Sequence, residues 1–251
     1  MSFSSQKKSK QTVVREMEPG AEQLYSKRMP VNEFDTRLLL STTESLIETL
    51  EKLPAEGAAA LRILDDEGCD ILLQEANNLK YRECSPVVGT GDRAVTQDFD
   101  IALNFTDSTR LDEFAAAFER QFNAALEAMS PQPYPTPVHF NDRAMLRYPQ
   151  GSTGISPHQD LKRFEAVVAI LTLEGTGDFY ICEDRQKTNS QLIRAERGIM
   201  ILMRGTHYAG IEHRPFHYVE NLSKGRVGFG LRYDVKLAQE STYSYEVPVS
   251  S

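Results

Sequence analysis

The segment YPQGSTGISPHQD, Tyr148 to Asp160, sets a histidine and an aspartate two residues apart behind a glycine-bearing turn. In an extended strand, residues i and i+2 point the same way. His158 and Asp160 can therefore converge on one ion while Gln159 turns away. Two imidazoles and one carboxylate on one face of a first-row metal leave the other positions open, which is the ligand set of non-haem Fe(II) in oxygen chemistry. The second imidazole must come from another strand, and His139, His207, His213 and His217 are available. His217 is the candidate. It lies in RPFHYVENLSKGRVGFGLR, which reads as a hairpin with a polar turn from Asn221 to Gly225. Arg226 opens the returning strand, where its guanidinium could grip the carboxylate of an anionic co-substrate through two parallel hydrogen bonds. His213, in the loop that follows GTHYAGIE, is the alternative ligand, and His139 and His207 read as structural or surface residues.

In this order and at this spacing the residues resemble the Fe(II)- and 2-oxoglutarate-dependent oxygenases. The matching elements are His158-Gln159-Asp160, His217 on a late strand, and Arg226 nine residues after it, within a stretch from about 141 to 234. The run from Tyr148 is similar to the prolyl-hydroxylase branch, in which a tyrosine ten residues before the first histidine reaches 2-oxoglutarate. The resemblance implies that His158, Asp160 and His217 hold Fe(II). It implies also that Arg226 takes the far carboxylate of 2-oxoglutarate with Thr172 as its partner, and that Tyr148 and Arg232 orient the co-substrate. O2 would be the second co-substrate, succinate and CO2 the products, and ascorbate a supporting reductant. Dealkylases of alkylated nucleic acids also often read H-Q-D and carry two arginines six apart, as Arg226 and Arg232 are, but here the distal histidine is much closer to the first arginine than in that branch. Related halogenases have a small residue where Asp160 stands, so oxidation of a C–H bond is favoured.

These residues need a scaffold that faces strands toward one another. RAMLRY, AVVAILTL, DFYICE, IMILM, FHYVEN and RVGFGLRYDV are short β-rich runs separated by Gly, Asn, Asp and Ser clusters. They predict an α+β protein whose double-stranded β-helix (jelly-roll) core has about eight strands and is buttressed by N-terminal helices. A polar tail to residue 30 precedes a mainly helical portion over 31–137, the core covers 138–240, and a tail follows over 241–251. In the helical portion, TRLDEFAAAFERQFNAALEAM puts Leu111, Phe114, Phe118, Phe122, Leu126 and Met129 on one face, with Thr109 and Asp112 as a capping box. A strand is expected from about Ala94 to Leu103. Gly89–Asp92 and Gly175–Phe179 read as hairpin turns, since neither has the lysine and helix of a phosphate loop.

Composition narrows the function. With 40% hydrophobic and 25% charged residues, the 251-residue chain is in the ordinary globular range. No apolar run approaches the ~20 residues of a membrane span. The N-terminus lacks the apolar core of a secretory signal, and three widely spaced cysteines make no disulfide framework. A cytoplasmic protein is expected. Residues 31–137 carry 8 basic against 20 acidic side chains, and residues 138–232 carry 13 against 10. That mildly basic centre suits a small anion, and no basic stripe with interleaved aromatics points to nucleic acid. A small, amino-acid-like substrate is favoured, with a peptide open through the prolyl-hydroxylase resemblance. The loop Val87–Gln97 and the turn after Asp160 are candidates for contact with it. A non-catalytic jelly-roll binding module and a zinc hydrolase are the readings from other classes.

Overall fold

The computed structural model describes residues 35–103, 105 and 109–243. The expected polar tail to residue 30 and the chain end after 243 lie outside them. Helices α1 (Thr43–Leu50) and α2 (Leu53–Glu56) lead into strand β1 (Ala58–Arg62), followed by α3 (Asp66–Ala76). Strands β2 (Arg82–Glu83), β3 (Val87–Val88), β4 (Val95–Asp98) and β5 (Asp100–Leu103) precede the long helix α4 (Thr109–Ala128). Eight strands come next: β6 (Asp142–Tyr148), β7 (Gly154–His158), β8 (Phe164–Gly175), β9 (Asp178–Cys182), β10 (Gln191–Ile193), β11 (Ile199–Arg204), β12 (Phe216–Glu220) and β13 (Arg226–Asp234). Helix α5 (Val235–Tyr243) continues into the expected C-terminal tail.

Two antiparallel sheets result. The larger has the order β1-β11-β8-β13-β6-β5-β2 and the smaller β10-β9-β12-β7-β4-β3. The C-terminal eight strands divide four and four between them, which is the expected jelly roll. Strand alternation sorts the larger sheet's side chains. Val167, Ala169, Leu171, Leu173, Val227, Phe229 and Leu231 face the helices, where they pack with Phe114, Phe118 and Phe122 of α4. Phe118 and Phe140 stack with centroids 5.4 Å apart. Burying each such ring is worth about 1.5–3 kcal/mol. Val168, Ile201 and Met203 point the other way, toward Phe179, Ile181 and Val219 of the smaller sheet.

Several local readings change. The portion over 31–137 is not only helical, since it adds β1, β2 and β5 to the larger sheet and β3 and β4 to the smaller. The single strand expected from Ala94 to Leu103 is two, because the chain passes at Phe99 from one sheet to the other. The segment around His217 and Arg226 is not a hairpin: β12 belongs to the smaller sheet and β13 to the larger. Gly175–Phe179 likewise crosses between sheets, from β8 to β9, while Gly89–Asp92 does turn between the paired β3 and β4. Period-2 patterning identifies a strand but not its sheet, so a sheet-to-sheet crossing and a hairpin look alike in sequence. The first turn of α4 also differs. The Glu75 carboxylate accepts the backbone N–H groups of Arg110 and Leu111 at 2.9 and 3.1 Å, and Asp112 pairs instead with Arg143.

Candidate metal and co-substrate site

The smaller sheet pairs His217 of β12 directly with His158 of β7. Cross-strand partners of this kind face each other from one side of the sheet, and the two imidazole centroids are 4.1 Å apart. Asp160 lies just past the end of β7, with its Oδ2 4.0 Å from His217 Nε2. One ligand atom from each of the three lies within 4.8 Å of the others. Gln159 turns away, donating to the Arg214 carbonyl at 2.6 Å.

The glycine turn sets β7 in place. Gly154 has φ +80°, and a Cβ there would fall 1.8 Å from the Val219 carbonyl oxygen of β12, so only glycine lets the two strands approach. Ser152 Oγ donates to the Asp98 carbonyl at 2.5 Å, and the Thr153 N–H donates to the Asp98 carboxylate at 2.8 Å. The turn is thereby clamped to β4.

Hydrogen bonding and burial prepare the imidazoles. His158 Nδ1 is 3.0 Å from the Ser156 carbonyl oxygen. A carbonyl only accepts, so Nδ1 carries the proton and Nε2 keeps its lone pair for a metal. Burial, with His158 alongside, pushes the His217 pKa down to about 3, so the ring stays neutral. Phe179 stacks on it at 5.6 Å.

The facing wall is β13. Arg226 is 3% exposed and donates from Nη2 to Thr172 Oγ1 at 2.9 Å, while its Nε has no partner. Burial lowers its pKa from the ordinary value, and no carboxylate among the described residues pairs with it. A buried guanidinium held only by a hydroxyl lacks its natural partner, and an incoming carboxylate would supply one. Tyr148 lies opposite Arg226 in the strand register, and burial pushes its phenol up to about 12. Gly228 and Gly230 follow on the same inward face. A Cβ at Gly228 would meet its neighbours no nearer than 3.8 Å, so its absence leaves room inside without relieving any clash. A cavity of about 80 Å³ lies between the walls, lined among others by Tyr148, His158, Asp160, His217, Arg226 and Gly228.

His158, Asp160, His217, Tyr148, Arg226 and Thr172 are thus brought together. Arg232 also lines the cavity, but three inward positions further along β13, roughly 20 Å of strand from Arg226, and its guanidinium is taken by Asp142. His213 stays outside the metal cluster. His139 and His207 instead contact the carboxylates of Glu119 and Glu165, at 3.0 and 3.1 Å. None of Val87–Gln97 lines the cavity, although the loop borders a separate open groove with Glu83 and Asp100. Sequence reading missed Phe179, whose place was signalled by alternation in DFYIC, and the two space-giving glycines of β13, which no local pattern marks.

No family model matches the chain, and no curated protein matches it. Solved structures do. A prolyl hydroxylase from Trichoplax adhaerens, in complex with a peptide fragment of the hypoxia inducible factor oxygen degradation domain, matches with a TM-score of 0.58 and 14% identity, covering 79% of this chain and 94% of its own. A Pseudomonas putida prolyl-4-hydroxylase gives 0.53 and 13%, covering 75% and 98%. The non-heme alpha ketoglutarate dependent epimerase SnoN from nogalamycin biosynthesis gives 0.55 and 14%, covering 76% and 83%. The fold is therefore the jelly roll of these oxygenases. Among the described residues, no helix is long and apolar enough to cross a membrane.

Proposed function

We propose that the protein is an Fe(II)- and 2-oxoglutarate-dependent oxygenase. It oxidises a C–H bond of a small, amino-acid-like substrate in the cytoplasm and releases succinate and CO2. The observation that carries this reading is the pairing of a His-Asp-His cluster with a buried arginine that lacks a carboxylate on the facing sheet. A zinc hydrolase would leave Arg226 without a role, and a non-catalytic module would need neither group.

When bound, Fe(II) with 2-oxoglutarate supplies the activation of O2. The chain supplies position. His158 and His217 would each offer a ring nitrogen and Asp160 a carboxylate oxygen to the metal. Arg226 and Thr172 take the far carboxylate of 2-oxoglutarate, with Tyr148 beside them. Val168, Ile170, Phe179 and Val219 line the cavity and keep water from the reacting atoms. Arg232, already paired with Asp142, serves as wall at the other end of β13 rather than as a second anchor. The peptide held by the Trichoplax neighbour favours a second reading, peptide hydroxylation at the same site.

The test is anaerobic visible absorption of the purified chain with Fe(II), before and after 2-oxoglutarate. A weak charge-transfer band should appear with wild-type protein and vanish in His217→Ala. In Arg226→Ala it should need about 100-fold more 2-oxoglutarate, as expected for loss of a charged hydrogen-bonded contact. Protein that binds Fe(II) yet gives no band would sink the reading, and a band that survives His217→Ala would return the third ligand to His213.

A further inference from the structure

Building on the oxygenase reading, we propose that Arg232 recognises the primary substrate: it takes a free carboxylate, while the aliphatic stem behind that group lies along Leu146, Val168 and Ile170. Arg226 and Arg232 are the two arginines that line the cavity. On the inward face of β13 they bracket Gly228 and Gly230, which line it too. A Cβ on either glycine would come no nearer than 3.6 Å to its neighbours. The floor between the two cations is therefore bare, and a ligand lying on it is held from its ends.

Strand register sets the metal ligands between those ends. Arg226 opposes Tyr148 at the end of β6, where the chain turns into β7. Both β7 and β13 run away from that turn, with His158 four residues along from Gly154 and Arg232 six along from Arg226. At about 3.3 Å per residue, the histidine falls between the levels of the two arginines. Tyr148 and Arg226 are buried, whereas His158, Asp160 and Arg232 are half-buried, so the cavity opens at the Arg232 end. A co-substrate reaching inward from the metal to Arg226 leaves that outer end to the primary substrate.

The Arg232 guanidinium is held in place yet only partly used. Its Nη2 donates to Asp142 Oδ1 at 2.5 Å, and its central carbon lies 4.9 Å from the Phe164 ring centroid. Those two contacts fix the plane of the fork. Nη1 has no partner among the described residues, and Nε is buried without one, as in Arg226. Donors therefore remain for a second carboxylate, with Asp142 as the residue that positions the first. Pairing with an aspartate is not what sets Arg232 apart, because Arg143 and Arg147 on β6 pair likewise with Asp112 and Asp100. Those two do not line the cavity, and Arg232 lines it together with His158, Asp160 and His217. The wall around it is apolar, so the substrate that fits is a carboxylic acid on an aliphatic stem, and its C–H bonds face the metal ligands.

The full chain, loaded anaerobically with Fe(II) and saturating 2-oxoglutarate, is titrated calorimetrically with butyrate, isovalerate and hexanoate, and with the primary amide of each. Saturation keeps the acids away from Arg226. The best acid should bind about tenfold more tightly than its amide, the worth of one charged hydrogen-bonded contact. In Arg232→Gln acid and amide should bind alike. Arg232→Lys, which keeps a cation for Asp142, should lose part of the preference and serves if the glutamine variant does not fold. Wild-type protein that binds acids no better than amides, or binds neither, overturns the proposal, as does a preference that survives Arg232→Gln. A variant that weakens 2-oxoglutarate more than the acid makes Arg232 a co-substrate residue and overturns it too. The charge-transfer band separates the two claims: an acid preference that depends on Arg232 without the band removes the oxygenase and keeps the carboxylate subsite, while the band without the preference removes only the subsite.

Discussion

The two faces of the larger sheet are built to opposite rules. Toward the helices, β8 and β13 present Leu171, Leu173, Phe229 and Leu231 to a dry layer of rings, with Phe114 and Phe229 6.1 Å apart by centroid. Toward the smaller sheet, the same strands present Thr172, Arg226, Gly228 and Arg232. One face gains stability from each side chain. The other gives up packing and buries charge to keep a shaped, polar space. Strand alternation allows a single sequence to do both, since neighbouring residues answer to different surroundings.

The contrast can be broken most forcefully at Phe118, fully buried on the helix side. Phe118→Ala should cost about 3–5 kcal/mol in denaturant unfolding. Any activity lost should return in proportion to the folded fraction. Gly154→Ala strikes the other side, where a Cβ would meet the Val219 carbonyl at a left-handed φ. We expect a loss of about 3 kcal/mol together with impaired metal binding, measured by urea titration and Fe(II) affinity. A phenotype in stability alone would show that the approach of β7 to β12 does not set the ligand geometry.

A smaller effect should come from acid. His217 is held neutral in the folded chain down to about 3, whereas an unfolded histidine takes a proton near 6.5. Below that value the unfolded state binds more protons, so stability of the metal-free protein falls as pH falls toward 3. The loss should be about 2 kcal/mol between pH 6.5 and 5. His217→Leu should flatten that part of the profile. Gly228→Ala should show the smallest stability change and the opposite sign. Its Cβ meets only ordinary contacts, so the fold should gain about 0.5 kcal/mol while 2-oxoglutarate binding weakens.

Much of this was legible in sequence, for physical reasons that differ by residue. His158 and Asp160 announce themselves by i, i+2 spacing, and α4 by its 3.6-residue stripe. His217 and Arg226 were found by a hairpin that does not exist. Their proximity survives because the chain crosses between facing sheets instead of turning back within one. Thr172 came only from the resemblance, since its contact with Arg226 joins residues 54 apart and no local pattern marks it.

The crossing at Phe99 has a consequence for how such a chain can diverge. Asp98 closes one strand and Asp100 opens another in the opposite sheet, with only Phe99 between them, its ring 5.0 Å from that of Tyr148. One residue inserted there would invert β5 against β6, turning Ala102 out of the helix-side core and Ile101 away from the cluster between the sheets. The turn at Gly91, where even a new Cβ would meet nothing within 4 Å, has no such bookkeeping. Length variation among descendants of this sequence should therefore accumulate in the β3–β4 turn and stop abruptly at the step between the sheets, a one-residue stitch whose length is fixed by geometry while its surroundings drift.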